Sequence, residues 1–380
     1  MSVQAFANAL EQASQEDVQT FVKPIVPTVP PQRVEISPKP AQSVVTPPLA
    51  PTEVVTPLSK PIVAPAIPVA KSSAPSRPVE TILYTFRGHS GNVNTIAWSP
   101  NGKYIASGGD DTTVQVWNAI KGNLLFTYTD HSEAITAIAW SPDSTDIASG
   151  SLDGTVHVWS TVAKGKFFTF RGHHHFMSKK AVWTVAWSPD REYIASGSDD
   201  NIVQLWTASA GKKVYTYRGH TGWVNAVAWS PNGRYIASAS VDGTVQVWTQ
   251  DSGERDCIRY DGHDDTVFAV AWSPNGRYIA SGSDDNTVQI WKVEEPTVHN
   301  VITYKGHSAA VGTLVWSPDG RYIASGSDDG TVQIWESTTG RKINTYTAHS
   351  DCVNAVAWSP DGKYIASAGE DKTVQVWVAP

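Results

Sequence analysis

Sulfur is almost absent from this chain: 380 residues hold two cysteines and two methionines. Cys257 and Cys352 stand far apart, with no motif around either. Two isolated thiols imply neither a disulfide framework nor a cysteine-built zinc site. Long apolar runs are also missing, and nothing approaches the roughly twenty residues that a membrane-spanning helix needs. The first residues have neither the basic cluster nor the apolar core of a secretory leader, so a soluble, cytoplasmic protein is expected. A basic excess is lacking as well, since 29 Lys and Arg face 36 Asp and Glu for a net charge of −7. Residues 1–80 carry six side chains of each sign, so the imbalance belongs to the rest. An acidic body argues against sequence-independent nucleic-acid binding, which needs a basic surface. It favours basic partners.

Residues 1–80 differ in kind from the other 300. They lack tryptophan and tyrosine, with Phe6 and Phe21 their only aromatics, and hold 15 of the 24 prolines. From residue 23 to residue 80 prolines recur among Val, Ala, Thr and Ser. Such a stretch buries too little apolar area to offset its ordering entropy, and reads as a disordered, partly polyproline linker. Within residues 1–22, Val3, Phe6, Leu10 and Ala13 follow helical spacing. That is either a short docking helix or a frayed terminus with chance periodicity, since isolated helices of this length are marginal in water.

Tryptophan is what the chain has in excess, with sixteen. Fourteen fall on two ladders. The first is Trp98, Trp140, Trp187, Trp229, Trp272, Trp316 and Trp358, each followed by Ser-Pro. The second is Trp117, Trp159, Trp206, Trp248, Trp291, Trp335 and Trp377. Both step by 42, 47, 42, 43, 44 and 42 residues. The copy from Trp272 to Trp291 differs from that between Trp316 and Trp335 only in Asn275 for Asp319 and Asn286 for Gly330. A period of about 40–45 residues, opening on Gly-His and closing on Trp, fits one four-stranded propeller blade. In the first copy, strands are expected over Val93–Trp98, Tyr104–Ser107, Thr113–Trp117 and Leu124–Tyr128, with Asn101-Gly102 as a tight hairpin turn of positive φ. The fold class is therefore all-β: residues 81–380 form a seven-bladed, monomeric β-propeller.

On these residues the chain resembles the WD-repeat family, and the near-identity of its copies resembles bacterial members. In that family each blade carries a His–Ser–Asp–Trp hydrogen-bond network. The matching histidines are His89, His131, His173, His220, His263, His307 and His349. The serines are Ser107, Ser149, Ser196, Ser238, Ser281, Ser325 and Ser367. The aspartates are Asp111, Asp153, Asp200, Asp242, Asp285, Asp329 and Asp371, and the second tryptophan ladder completes the set. Departures are few. Asp130 and Ala348 replace the glycine before the histidine, and the aspartate that normally follows the second tryptophan is missing from every copy. The resemblance further implies that Thr81 to Phe86 supplies the outer strand of the last blade and closes the ring, covering an edge.

A serine, histidine and aspartate in every copy invite comparison with a hydrolase triad. A nucleophile, however, needs one exposed hydroxyl with its base and oxyanion donors at one place. A trio repeated seven times beside a buried indole is a folding device. Function should then lie where the copies differ. The positions flanking the valine after each histidine loop are Asn92 and Asn94, Ala134 and Thr136, Ala181 and Trp183, Trp223 and Asn225, Thr266 and Phe268, Ala310 and Gly312, Cys352 and Asn354. By resemblance they rim the top face near the central channel. Trp183, Trp223 and Phe268 come from consecutive copies and are expected to be neighbours there, as aromatic anchors of a binding site or else as extra core. The residue before each repeat aspartate adds an acidic rim, with Asp110, Asp199, Asp284, Asp328 and Glu370 against Leu152 and Val241. The third copy carries an insertion, His173 to Lys180, read as a loop over the aromatic patch. His174 and His175 lack further ligands at metal spacing and read as solvated.

The expected function is a non-catalytic scaffold that binds a protein or peptide, with basic and apolar residues, on the top face. No cofactor, metal, nucleic-acid or membrane partner is expected. Two other readings stay open: a sensor or regulatory module of a bacterial signalling system with its effector on another chain, and an enzyme with a central-channel site. Fold alone does not choose among them.

Overall fold

A computed structural model describes residues 82–380 apart from 164, 176–177, 252–253, 256 and 295–296; side chains are not described for 174, 175, 178, 179, 294, 297 and 298. The helix or frayed end expected in 1–22 and the linker over 23–80 lie outside the described residues.

Seven four-stranded antiparallel sheets account for all but one small ribbon of the strands. The first sheet, blade 1, runs outward from Val93–Trp98 through Tyr104–Gly109 and Val114–Asn118 to Leu124–Tyr128. The inner strands of blades 2 to 7 are Ile135–Trp140, Val182–Trp187, Val224–Trp229, Val267–Trp272, Val311–Trp316 and Val353–Trp358. Each inner strand contacts the next, and Val353–Trp358 returns to Val93–Trp98, so the seven enclose a central channel. The outer strand of blade 7 is Ile82–Phe86, paired antiparallel with Val374–Val378 through Tyr84↔Val376 and Phe86↔Val374. The expected closure is present, and no helix occurs among the described residues.

The hydrophobic core is divided into seven clusters, each lying between two neighbouring blades. One joins Val93, Ile96 and Trp117 of blade 1 to Ala366, Val374 and Val376 of blade 7. No blade buries its faces alone, which is why repeats of this kind need a closed set.

Two details depart from the expectations drawn from sequence. The hairpin after Trp98 is not a two-residue turn with both φ positive. Only Gly102 adopts a positive φ, at 73°, and its N–H donates to the Ser99 carbonyl 2.9 Å away. Asn101 instead accepts, at its Oδ1, from the Ser99 hydroxyl and the Lys103 N–H. A bulge also interrupts each inner strand. In blade 1 the pairing jumps from Val93↔Gly109 to Thr95↔Gly108, leaving Asn94 as the extra residue. The same shift recurs at the same place in the other six blades. Bulges re-aim a side chain. Here they set seven residues at the channel mouth: Asn94, Thr136, Trp183, Asn225, Phe268, Gly312 and Asn354.

Candidate partner-binding face

The repeated polar trio has the connectivity of a catalytic triad. In blade 5, Nε2 of His263 lies 2.7 Å from the Ser281 hydroxyl and Nδ1 lies 2.8 Å from the Asp285 carboxylate. All seven blades repeat it, with Nε2–Oγ separations of 2.7–2.9 Å and Nδ1–carboxylate separations of 2.8–2.9 Å. Each of these serines is 0% exposed, so no substrate reaches the hydroxyl. The other carboxylate oxygen turns back on its own loop, as where Asp285 accepts from the Thr287 hydroxyl and N–H. In blade 7, burial works to raise the Asp371 carboxyl, but hydrogen bonds from His349 and Thr373 outweigh it and hold it down at about 2.

The fourth member of the network is only partly as the resemblance implied. The indole N–H donates to the serine in blades 2, 4 and 6, at 3.3 Å from Trp159, Trp248 and Trp335. Trp117, Trp206, Trp291 and Trp377 have no such partner. Their placement comes instead from stacking on an aromatic that ends the preceding outer strand. Phe86 on Trp117 lies at 5.0 Å and 7°, and Tyr346 on Trp377 at 4.4 Å and 2°. Such contacts add to plain area burial.

This outer-strand aromatic and a glutamine two residues before the second tryptophan were not singled out in the sequence. Where the ring is tyrosine, its hydroxyl donates across the seam to the next blade's glutamine, as from Tyr304 to Gln333 at 2.6 Å and from Tyr346 to Gln375 at 2.8 Å. The signal was available, because both residues recur at fixed offsets in the copies. Blade 2 departs, with His157 in place of glutamine. Its Nδ1 lies 2.9 Å from the Tyr128 hydroxyl, and its ring stacks on His131 at 3.8 Å and 11°. His131, Asp153 and His157 bring three potential metal-ligand atoms together. Parallel stacked imidazoles point their lone pairs side by side, however, and do not converge on one ion.

The top face holds the residues where copies differ. The rim residue before each repeat aspartate is fixed by its own N–H, which donates to the residue preceding the inner-strand valine. Asp110 bonds to Asn92, Asp199 to Ala181, Asp284 to Thr266, Asp328 to Ala310 and Glu370 to Cys352. Every acidic rim residue therefore sits beside its own blade's bulge. Four bulge side chains donate to the first inner-strand carbonyl of the following blade: Asn94 to Ile135 at 3.0 Å, Thr136 to Val182, Asn225 to Val267 at 3.1 Å, and Asn354 to Val93 at 3.3 Å. Trp183, Phe268 and Gly312 occupy the remaining three places and supply no such clasp. Blades 3 and 6 are tied onward by Thr184 and Thr313 instead, whose hydroxyls accept from the N–H groups of Val227 and Val356.

Trp183 and Trp223 come together as expected, stacked at 6.2 Å and 13° across the seam of blades 3 and 4. Trp223 is 49% exposed. Trp183 is half-buried, and its indole N–H has no partner. Phe268 is half-buried on blade 5 and stacks on neither. The apolar feature is thus a pair, with Val241, 41% exposed, on the rim of blade 4. In the insertion of the third repeat, the backbone of His174–His175 pairs with Ser178–Lys179 as a two-stranded ribbon. Phe176, Met177 and the side chains of the ribbon lie outside the described residues, and with them the expected cover over the aromatic patch.

Comparison with known proteins agrees with this architecture. The profile of the WD domain, G-beta repeat, matches residues 80–118, 122–160 and 340–378. That of the Echinoderm microtubule-associated protein second beta-propeller matches residues 182–345. Among curated relatives, the ribosome biogenesis protein ERB1 of Ajellomyces capsulatus is 55% identical over 42 residues, 11% of this chain and 5% of that protein. The Neurospora crassa erb1 protein is 44% identical over 57 residues, 15% of this chain and 7% of its own length. The periodic tryptophan protein 2 homolog of Dictyostelium discoideum is 49% identical over 43 residues, covering 11% and 5%. Each match spans little more than one repeat, and the chain covers well under a tenth of these relatives. The bacterial likeness read from the near-identity of the copies gains no support from them.

Proposed function

This chain belongs to the WD-repeat β-propeller family, and from that premise we propose that it is a non-catalytic scaffold binding a protein or peptide on its top face. The observation that carries the reading is the Trp183–Trp223 stack. Two large rings stand on a rim where other blades carry Asn, Thr, Ala, Gly, Cys or, in blade 5, Phe268, and one of them is half open to solvent. Aromatic pairs of this sort are what partner proteins bury. The acidic rim favours a partner with Lys or Arg beside an apolar residue. Burial of all seven network serines supports the absence of chemistry at the repeated trio. A cytoplasmic setting belongs to the same proposal. No helix among the described residues is long and apolar enough to cross a membrane.

The test is Trp183→Ala and Trp223→Ala in the full chain, against a partner captured with the unaltered protein. Each variant is expected to lose about 2 kcal/mol or more of binding while melting close to the parent. Unchanged affinity in both refutes the site. A large fall in melting temperature means that the rings serve the core.

A further inference from the structure

Blade 1 shows what the channel mouth looks like when filled. Nδ2 of Asn94 donates both to the Asp110 carboxylate, at 2.8 Å, and to the Ile135 carbonyl of blade 2, at 3.0 Å. Two acceptors, one charged, share one amide. Blade 6 repeats the surrounding backbone. Asp328 is held by its N–H to the Ala310 carbonyl at 3.1 Å, as Asp110 is to Asn92 at 2.9 Å, and Val353 begins the inner strand of blade 7 as Ile135 begins that of blade 2. The amide, however, is missing. Gly312 takes the place of Asn94, and a Cβ added there would meet nothing within 4 Å. At this seam the Cys352 thiol donates to the Asp328 main-chain carbonyl at 3.7 Å, but the space at Gly312 is open and no bulge amide joins the Asp328 rim to the start of the next inner strand.

The surroundings make that space selective. Phe268 holds the equivalent bulge position on blade 5, whose inner strand contacts that of blade 6. Asp284 adds a second carboxylate from the rim of blade 5. Burial, then the nearby Asp284 and Asp329, push the Asp328 carboxyl up from its ordinary value. Asp329 is already held by His307 and Thr331. No lysine or arginine is paired with Asp284 or Asp328 among the described ion pairs. A neutral amide would satisfy the geometry but leave the two carboxylates repelling each other. A group with several N–H donors and a positive charge answers both demands, and an aromatic wall adds to its attraction.

We propose that the ligand of the top face inserts a lysine or arginine side chain into the notch at Gly312, its N–H groups taking the place that an asparagine amide holds in blade 1. This rests on the top-face reading and refines it. The cation binds at blade 6, bounded by Asp328, Asp284 and Phe268, while the apolar residue binds at Trp183–Trp223 on blades 3 and 4. The ligand therefore lies across the channel mouth and not along one seam.

Gly312→Asn is the decisive variant. It installs the residue found at this place in blades 1, 4 and 7, at a backbone position with ordinary φ and open space, and closes the notch with a native-like clasp. A random dodecapeptide phage library is selected against the immobilised full chain, against Gly312→Asn, against Asp284→Asn/Asp328→Asn, and against Asp264→Asn/Asp265→Asn as a control of equal charge loss on exposed residues of the same face. The parent and the control should enrich Arg or Lys at a fixed spacing from an aromatic or aliphatic residue. Both notch variants should keep the apolar preference and lose the basic one. The best peptide, resynthesised with citrulline for arginine or norleucine for lysine, should bind the parent about tenfold more weakly or worse. Basic enrichment that survives Gly312→Asn and Asp284→Asn/Asp328→Asn overturns the notch. So does apolar enrichment without a basic residue in the parent, which would leave the top-face reading standing. Selection unaltered by Trp223→Ala removes the top-face reading and the notch together.

Discussion

At the scale of single residues, the seam between blades turns on one hydroxyl. Gln246, Gln289, Gln333 and Gln375 each accept at Oε1 from a tyrosine of the preceding outer strand, at 2.5–2.8 Å. Gln115 and Gln204 face Phe86 and Phe170 instead, and their Oε1 atoms are buried without a donor. An unsatisfied buried acceptor costs free energy that one added donor recovers. Phe86→Tyr and Phe170→Tyr are therefore each expected to stabilise the protein by about 0.5–1.5 kcal/mol, read as a raised midpoint in urea unfolding. The opposite change is expected at the buried trio. Ser281→Ala leaves Nε2 of His263 without its partner and should cost about 1–3 kcal/mol. Any binding activity should fall only in step with the folded fraction. An activity abolished in a variant that melts like the parent would reopen the catalytic reading. The His–Ser–Asp trio was legible in the sequence because every copy writes it. The tyrosine–glutamine bond was harder to read: its two ends recur at a constant offset of 29 residues, but on different blades, so no single copy shows them as partners.

One element stands apart from its six counterparts. Blade 2 replaces glutamine with His157, stacked on His131 and buried to 3% exposure. Burial first, then the neighbouring His131 and Lys166, hold the His157 imidazole down to about 3. An unfolded histidine titrates near 6.5, so the unfolded chain takes up a proton that the folded blade refuses. Stability is therefore lost as the pH falls from about 6.5 towards 3. The network aspartates act in a different window. Where their carboxyls are lowered, as at Asp371, the loss begins only below the unfolded value near 4. His157→Gln, the residue of the other six blades, is expected to flatten the fall in melting temperature between pH 6.5 and 4.5. A slope equal to the parent's across that range would show that His157 does not set the acid sensitivity. The inner strands carry the other element-level lesson. Alternation placed Asn94 and its equivalents opposite the valine, but nothing in the pattern announced the bulge that re-aims them, because a bulge is a property of the pairing with the second strand.

For the whole molecule, closure decides stability. Ile82–Phe86 completes the sheet of blade 7 and also packs on blade 1, through Phe86 on Trp117 and the Tyr84 hydroxyl donating to the Ala119 carbonyl at 2.7 Å. Deleting residues 81–87 should therefore expose a strand edge and an interblade core together. A fall in melting temperature much larger than that from deleting residues 1–75 is expected. Equal melting temperatures for the two truncations would show the closing strand to be dispensable. The same seam explains why function collects on the rim. The interblade cores take up most apolar side chains of the inner three strands, while Leu124, Phe167 and Val214 of the outer strands stay exposed, and the channel mouth is a ring where a residue can change without breaking a core.

The sequence by itself determined the number of blades and their strands, because a spacing repeated seven times excludes chance, and the family resemblance carried by that repeat implied the closing segment and the buried trio. It also pointed to Trp183 and Trp223 as residues the repeat does not require. Tertiary structure alone decided that these two rings stack while Phe268 stands apart, that four tryptophan N–H groups leave the expected network, and that Gly312 opens a gap between two acceptors. The reason is physical. A repeat fixes what happens within one blade, where partners lie at constant offsets. The contacts that set one blade apart depend on rings and side chains that the other copies lack, and what occurs once has no period to read.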